Sequence, residues 1–234
     1  MAGPLKGYWW TTGSSYEYIL GNYEDPQTMG TFCSWLKQDT VFYDLGANVG
    51  WYSMVAGKII NAGKIYAFEP MPMVRSLFEK HVELNKQQMT SNCIEILPFG
   101  ISDKSKQLVF SNDINQRDGN TYISSSKNFV RASQTMMVAC FSIDELLEQG
   151  YKVPDVMKID VEGAEYDVLQ GAVNTLTAHR PNILLATHDC HLPGVREKCI
   201  SFLEGLGYSL TNTGQFTKMI EGLDDYIAIH ISKL

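Results

Sequence analysis

The sequence predicts a three-layer α/β fold on a mostly parallel sheet, and three observations carry that expectation. An apolar run, Val41-Phe-Tyr-Asp-Leu-Gly-Ala-Asn-Val-Gly50, ends in a carboxylate, passes through small residues and opens a helical pattern. That is the strand, turn and helix that begin a nucleotide-binding sheet, with the turn at the ligand edge. Short apolar stretches then alternate with helical periodicity along the chain, the signature of strands covered by helices. Glu69 closes the second stretch 19 positions after Gly50, close to the roughly 20 expected for the acidic residue that holds ribose hydroxyls.

The chain has 234 residues, enough for one sizeable core or two small domains. Its formal net charge of -7 and sequence pI of about 5.2 argue against a surface that binds phosphate backbones, so nucleic acid is not an expected partner. Neither an apolar run long enough to span a membrane nor a signal-peptide pattern is expected. Cys33, Cys93, Cys140, Cys190 and Cys199 are odd in number and never spaced Cys-x-x-Cys, which fits a reduced, cytoplasmic setting.

Residues 1–40 read as an aromatic-rich extension of short strands and a helix, packed on a main domain of residues 41–234. Tyr8, Trp9, Trp10, Tyr16, Tyr18 and Tyr23 either wall a substrate site or pack on the sheet. After the first strand, Trp51, Met54, Val55 and Ile59 recur at helical spacing. Lys64 to Phe68 is the second strand, and Pro72 opens a helix in which His81 reads as a partly buried surface residue. Cys93 to Leu97 is the third strand, leading to a turn at Ser102 and Asp103. Residues 107–110 and 135–141 flank a polar stretch that is either a flap or a hairpin excursion. Ser142-Ile-Asp-Glu145 is a capping box. Asp155 to Asp160 is the fourth strand, followed by one helix with Ala164, Val168, Leu169, Ala172 and Leu176 inward. Asn182 to Ala186 is the fifth strand and runs into a polar turn from Thr187 to Pro193. A helix to Leu206 and a pair of strands close the chain.

The turn Asp-x-Gly-x-Asn-x-Gly differs from the dinucleotide Gly-x-Gly-x-x-Gly. Asn48 stands where the second glycine would be, and the third falls one residue early. Gly46 and Gly50 permit positive φ and leave no Cβ in the way of a ligand. A carboxylate at Asp44 suits a cationic ligand better than a pyrophosphate, and S-adenosylmethionine (SAM) carries a sulfonium and an ammonium.

Asp44-Leu-Gly-Ala-Asn-Val-Gly50, Ala67-Phe-Glu-Pro70, Ser142-Ile-Asp-Glu-Leu146 and Lys158-Ile-Asp-Val-Glu-Gly-Ala-Glu165, with Leu169-Gln-Gly-Ala172 behind them, together resemble the FkbM-type methyltransferases. The resemblance implies a Rossmann-like class I methyltransferase sheet of seven strands, one antiparallel in a C-terminal hairpin, with SAM as cofactor. It carries SAM contacts to Asp44, Gly46, Asn48, Gly50 and Glu69, and offers Ser102 and Asp103 on the adenine side. Family members often show a carboxylate after the fifth strand, where this chain reads Ala186-Thr-His-Asp189.

Methyl transfer to an alcohol needs an aligned acceptor and removal of its proton, by a base or after binding to a metal. Asp160 ends strand four, with His188 and Asp189 beside it on strand five. They suggest a base and its orienter, with Asp160 and His188 as the catalytic pair. An oxygen and nitrogen site for magnesium or manganese is the less favoured alternative. Asp160 and Glu162 also fit simple helix capping, and His188 and His191 fit solvated loop positions. The expected activity is O-methylation of a hydroxyl on a small molecule, sugar or lipid. A non-catalytic SAM or nucleotide binder and an NAD(P)-dependent oxidoreductase are the competing classes.

Overall fold

The computed structural model describes all residues except 13, 15, 22, 90–92, 113–120, 124–133 and 215–220. At 111, 112, 121–123 and 134 the backbone alone is described. After a 3-10 turn at Gly3–Leu5 come α1 (Tyr16–Leu20), α2 (Pro26–Trp35), β1 (Val41–Leu45), α3 (Trp51–Ala56), β2 (Lys64–Phe68), α4 (Pro72–Asn85) and β3 (Ile94–Leu97). The middle of the chain holds β4 (Gly100–Ile101), β5 (Lys106–Asn112), β6 (Thr121–Ile123), β7 (Gln134–Phe141) and α5 (Ile143–Glu148). Then follow β8 (Val156–Ile159), α6 (Glu165–Gln170), α7 (Val173–Ala178), β9 (Asn182–His188), α8 (Val195–Gly205), β10 (Tyr208–Asn212), β11 (Leu223–His230) and a closing 3-10 turn.

The main sheet has seven strands in the order β10-β11-β9-β8-β1-β2-β3. All neighbours are parallel except β11, which is antiparallel to both β9 and β10. Successive side chains of a strand point to opposite faces, so a strand covered on both sides is apolar throughout. β1 shows this: all five of its residues are buried, with Phe42 in the cluster on one face and Tyr43 and Leu45 in the cluster on the other. On the first face the sheet packs against Phe32 of α2, Met54 of α3 and Phe78 of α4. On the second it packs against Leu146 of α5, Val168 of α6, Leu176 of α7 and Leu203 of α8. Leu5, Tyr8 and Tyr18 of the N-terminal segment belong to the first cluster as well.

Several local expectations change under tertiary contacts. Among the described residues of the first 40 there are helices and turns and no strand. His81 is fully buried, not partly exposed: its Nδ1 lies 2.9 Å from the Val49 carbonyl, its Nε2 2.8 Å from Thr11 Oγ1, and Trp10 stacks on it at 3.7 Å. Burial pushes its pKa down to about 4. The helix expected after strand four is two short ones, α6 and α7, divided at Gly171, where an added Cβ would lie 2.1 Å from the Ser102 carbonyl. The polar stretch after residue 110 interrupts an antiparallel pairing of β5 with β7, part of a second sheet ordered β4-β7-β5-β6. Residues 113–120 and 124–133 of that stretch lie outside the described residues.

Candidate functional site

Register places the charged residues. β1 pairs with β8 so that Asp44 is opposite Lys158 and Leu45 opposite Ile159, which sets Asp160 beside the Gly46 turn. β8 pairs with β9, which pairing with β11 extends to His188, two residues beyond the apolar run. At this carboxyl edge a cavity of about 250 Å³ opens between the Gly46 turn, Glu69 and Asp160. Its walls include Tyr18, Tyr23 and Trp51 on one side and Ile101, Leu108 and Phe110 on another. The N-terminal aromatics thus divide: Tyr18 and Tyr23 reach the cavity, while Tyr8 and Trp10 pack in or against the core.

At one end, Glu69 accepts the backbone N–H groups of Asn48 at 2.9 Å and Met71 at 2.8 Å. Asn48 adopts φ 49°, a left-handed conformation that asparagine tolerates better than most residues. Burial pushes the Glu69 carboxyl up to about 7, although the two N–H groups pull the other way. At the other end, Lys158 is buried. Its ammonium donates to the Gly46 carbonyl at 2.7 Å and lies 3.2 Å from Asp160 and 3.7 Å from Asp44. Burial opposes that charge, but Asp160 and Asp44 outweigh it and hold the ammonium above its ordinary range.

The structure does not place every predicted residue on the cavity. Gly46, Asn48, Glu69 and Asp160 line it; Asp44, Gly50, Ser102, Asp103 and His188 do not. Asp44 is fully buried beneath the turn and accepts from the Ser53 backbone N–H at 3.1 Å and its hydroxyl at 2.6 Å. Gly50 is glycine because a Cβ would lie 2.0 Å from the Phe78 ring, and Gly46 because one would lie 1.9 Å from the Asp160 carbonyl. Both also have positive φ, at 87° and 73°. Neighbouring protein and backbone conformation therefore each require glycine at these two positions. Ser102 is buried against Gly171, and Asp103 pairs with Lys106 at 2.5 Å. The residues of that turn which do line the cavity are Gly100 and Ile101. Asp189, expected with His188 beside Asp160, accepts the Arg196 N–H at 2.8 Å at the start of α8.

His188 is 5% exposed, and its Nδ1 lies 2.8 Å from Glu165 Oε1, leaving Nε2 3.6 Å from Asp160 and 3.6 Å from Glu162. His191 stacks on it with ring centroids 5.2 Å apart, and its Nδ1 lies 2.9 Å from Glu162. Glu162 has φ 56°, strained for a residue with a side chain and frequent at functional turns. Burial opposes the His188 charge, yet Glu162, Glu165 and Asp160 hold the ring well above its ordinary pKa. Burial likewise works against the Asp160 carboxylate, but Lys158 and His188 hold it below the usual range. A carboxylate so held is a weak base, so the expected base role for Asp160 does not fit its surroundings.

Sequence reading missed Lys158, Glu162 and Glu165 as parts of this constellation. The available signal was the spacing Lys158-x-Asp-x-Glu-x-x-Glu165 across a strand end and the following turn. Beside Asp160 lies a smaller recess lined by Glu24, which is hydrogen-bonded to Tyr52, and by Asp225. Burial pushes Glu24 up to about 7 and Asp225 up to about 8.

Comparison with known proteins places this architecture. Residues 44–210 match the family described as the methyltransferase FkbM domain. Hexuronic acid methyltransferase AglP of Haloferax volcanii is 30% identical over 141 residues, 60% of this chain and 53% of that protein. The chain therefore spans about half the length of that relative. Methyltransferase sdnD of Sordaria araneosa is 24% identical over 202 residues, 75% of this chain and 76% of that one. Among solved structures, methyltransferase FkbM from Methylobacillus flagellatus superposes with a TM-score of 0.56 at 13% identity, covering 83% of this chain and 44% of that one. Precorrin-6y C5,15-methyltransferase from Geobacter metallireducens gives 0.52 at 15% identity, covering 92% and 93%. At such identities the likeness shows the fold.

Proposed function

The chain belongs to the FkbM methyltransferase family, and from that premise we propose that it transfers the methyl group of SAM to a hydroxyl oxygen of a small molecule, sugar or lipid. The observation that carries this reading is that Glu69 and Asp160 line one cavity, each following a strand that flanks β1 and its Gly46 turn. A hydroxyl-binding carboxylate and a polar acceptor end then flank the space where a sulfonium would lie. The Haloferax volcanii relative is named for a hexuronic acid. A sugar acid of that kind offers hydroxyl and carboxyl oxygens and no nitrogen, which supports an oxygen acceptor.

When bound, SAM supplies an electrophilic methyl carbon on sulfur. The residues present fit it: the buried Glu69 carboxylate keeps lone pairs to accept ribose hydroxyls. Tyr18, Tyr23 and Trp51 offer π faces that favour a cation. The acceptor oxygen would form its bond to the methyl carbon as the carbon–sulfur pair leaves with sulfur, giving S-adenosylhomocysteine (SAH), and the hydroxyl proton would pass to solvent. In this reading Asp160 orients the acceptor hydroxyl and His188 supports Asp160. Alignment supplies much of the acceleration in such in-line displacements. Residues 1–40 act as an extension that completes the cavity wall of the 41–234 domain, and the enzyme works in the cytoplasm on small acceptors rather than nucleic acid.

The test pairs calorimetry with transfer from methyl-labelled SAM to a panel of sugars, sugar acids and hydroxylated lipids. SAH binding and label in a hydroxyl-bearing product are expected. NAD affinity equal to or above that for SAH would overturn the cofactor assignment. SAH binding without transfer to any acceptor would favour a non-catalytic binder.

A further inference from the structure

We propose that Asp160, Glu162 and His188 form a binding site for one divalent first-row cation on the acceptor side of the cavity. The inference rests on the acceptor placement proposed above, and names what activates the acceptor there.

One ligand atom from each of these residues lies within 4.8 Å of the other two. The two separations from His188 Nε2, 3.6 Å to Asp160 Oδ1 and 3.6 Å to Glu162 Oε2, are too long for hydrogen bonds. They suit donors that share an ion, since ligands at about 2.0–2.2 Å from a metal stand roughly 3–3.6 Å from one another in octahedral or tetrahedral sites. Glu162 Oε2 is buried, and besides His188 its near neighbour is His191 Nδ1 at 2.9 Å.

The second observation is the support behind the ring. Glu165, fully buried, engages Nδ1 at 2.8 Å and also accepts the Gly163 N–H at 2.8 Å, fixing both the ring and the turn that carries Glu162. A carboxylate on one imidazole nitrogen, with the other nitrogen directed at oxygen donors, is the arrangement that orients metal-bound histidines. His188 is more than nine-tenths buried with Nε2 aimed into the cluster, and among the described residues it faces the two carboxylates at ion-pair distance without a hydrogen bond to either.

Two carboxylates and one imidazole suit manganese or iron(II), and magnesium less well. Asp160 and Glu162 both face the cavity, so coordination positions remain for water and an acceptor oxygen. A cation there lowers the pKa of a bound hydroxyl. The O–H proton is released to solvent, the oxygen pair forms the new bond to the methyl carbon, and the carbon–sulfur pair stays on sulfur.

The test is titration of chelator-treated full-length protein with Mn2+, free and saturated with SAH, followed by the electron paramagnetic resonance of unbound Mn2+. One bound ion per chain is expected, with broadening of the His188 imidazole resonances and not those of His81. Glu162→Gln and His188→Gln should each weaken binding by at least about tenfold while SAH affinity, read by calorimetry, stays unchanged. Wild type that binds no Mn2+ at millimolar concentration, or binds it as well as both variants do, overturns the site. SAH binding in the same sample separates that failure from failure of the methyltransferase reading. If Mn2+ binds as expected and SAH does not, the cofactor reading fails and the cation site stands.

Discussion

Glu165 Oε1 and His188 Nδ1 lie 2.8 Å apart across the end of the sheet, and this contact leaves Nε2 as the ring nitrogen that faces Asp160 and Glu162. Neither partner is exposed beyond 6% of its side chain. The pair therefore works as a fixed support rather than a surface ion pair, and it brings a strand-end histidine into line with two carboxylates on the β8–α6 turn.

That support can be tested by Glu165→Gln, which keeps the shape and an acceptor oxygen while removing the charge. Burial opposes the His188 imidazolium, and Glu165 is one of three carboxylates that hold it protonated. The variant should titrate its His188 ring at lower pH than wild type in imidazole NMR spectra of metal-free protein. Loss of a buried charged partner should also cost about 1.5–3 kcal/mol in denaturant unfolding at neutral pH.

Glu69→Gln should weaken SAH binding by about 1.5–3 kcal/mol, or roughly 10- to 150-fold in Kd, because ribose hydroxyls lose a charged acceptor. Burial raises the Glu69 carboxyl to about 7 in the ligand-free protein. The ionised form accepts the hydroxyls, so wild-type affinity should rise between pH 6 and 8, through that pKa. Calorimetry should find the variant's affinity flat over the same range.

Glu24 and Asp225 should make metal-free protein less stable as pH rises. Their folded pKa values, about 7 and about 8, lie above the ordinary 4.5 and 3.8, so the folded state binds more protons between those limits. Stability from these groups is then fully present at acid pH and is lost as pH climbs through 7 and 8. Asp225→Asn should flatten the decline between about pH 4 and 8 in thermal melts. A wild-type melting temperature that rises across this window would contradict the assignment.

Gly50→Ala should destabilise the fold rather than act through the ligand, since its Cβ would meet the Phe78 ring at 2.0 Å and the backbone sits at φ 87°. Left-handed strain of about 1–2 kcal/mol adds to overpacking of about 1–3 kcal/mol. Gly50→Ala combined with Phe78→Leu should recover part of that loss in denaturant unfolding, and a single variant as stable as wild type would refute the packing explanation.

The sheet was legible in the sequence because its evidence is local. β2 at Lys64–Phe68 and the capping box on α5 stand where apolar runs and Ser142-x-x-Glu145 place them. The resemblance carried by Asp44 to Gly50 and Lys158 to Glu165 gave the family, and the antiparallel C-terminal strand is present. The site was less legible. Asp160, Glu69 and Asn48 line one cavity, but His188, Ser102 and Asp103 do not, and Asp189 accepts the Arg196 N–H at the start of α8.

What the sequence determined by itself is the order of strands and helices, the turn residues able to adopt positive φ, and the family to which those motifs belong. Each follows from periodicity, backbone preference or spacing over a few residues. The tertiary structure decided which side chains converge. It chose Glu162 over Asp189 for His188, set Lys158 between Asp44 and Asp160, and made Gly46 and Gly50 necessary through the Asp160 carbonyl and the Phe78 ring. Those outcomes depend on strand register and on groups far apart in the chain, whose separation and burial fix the electrostatics that no local pattern encodes.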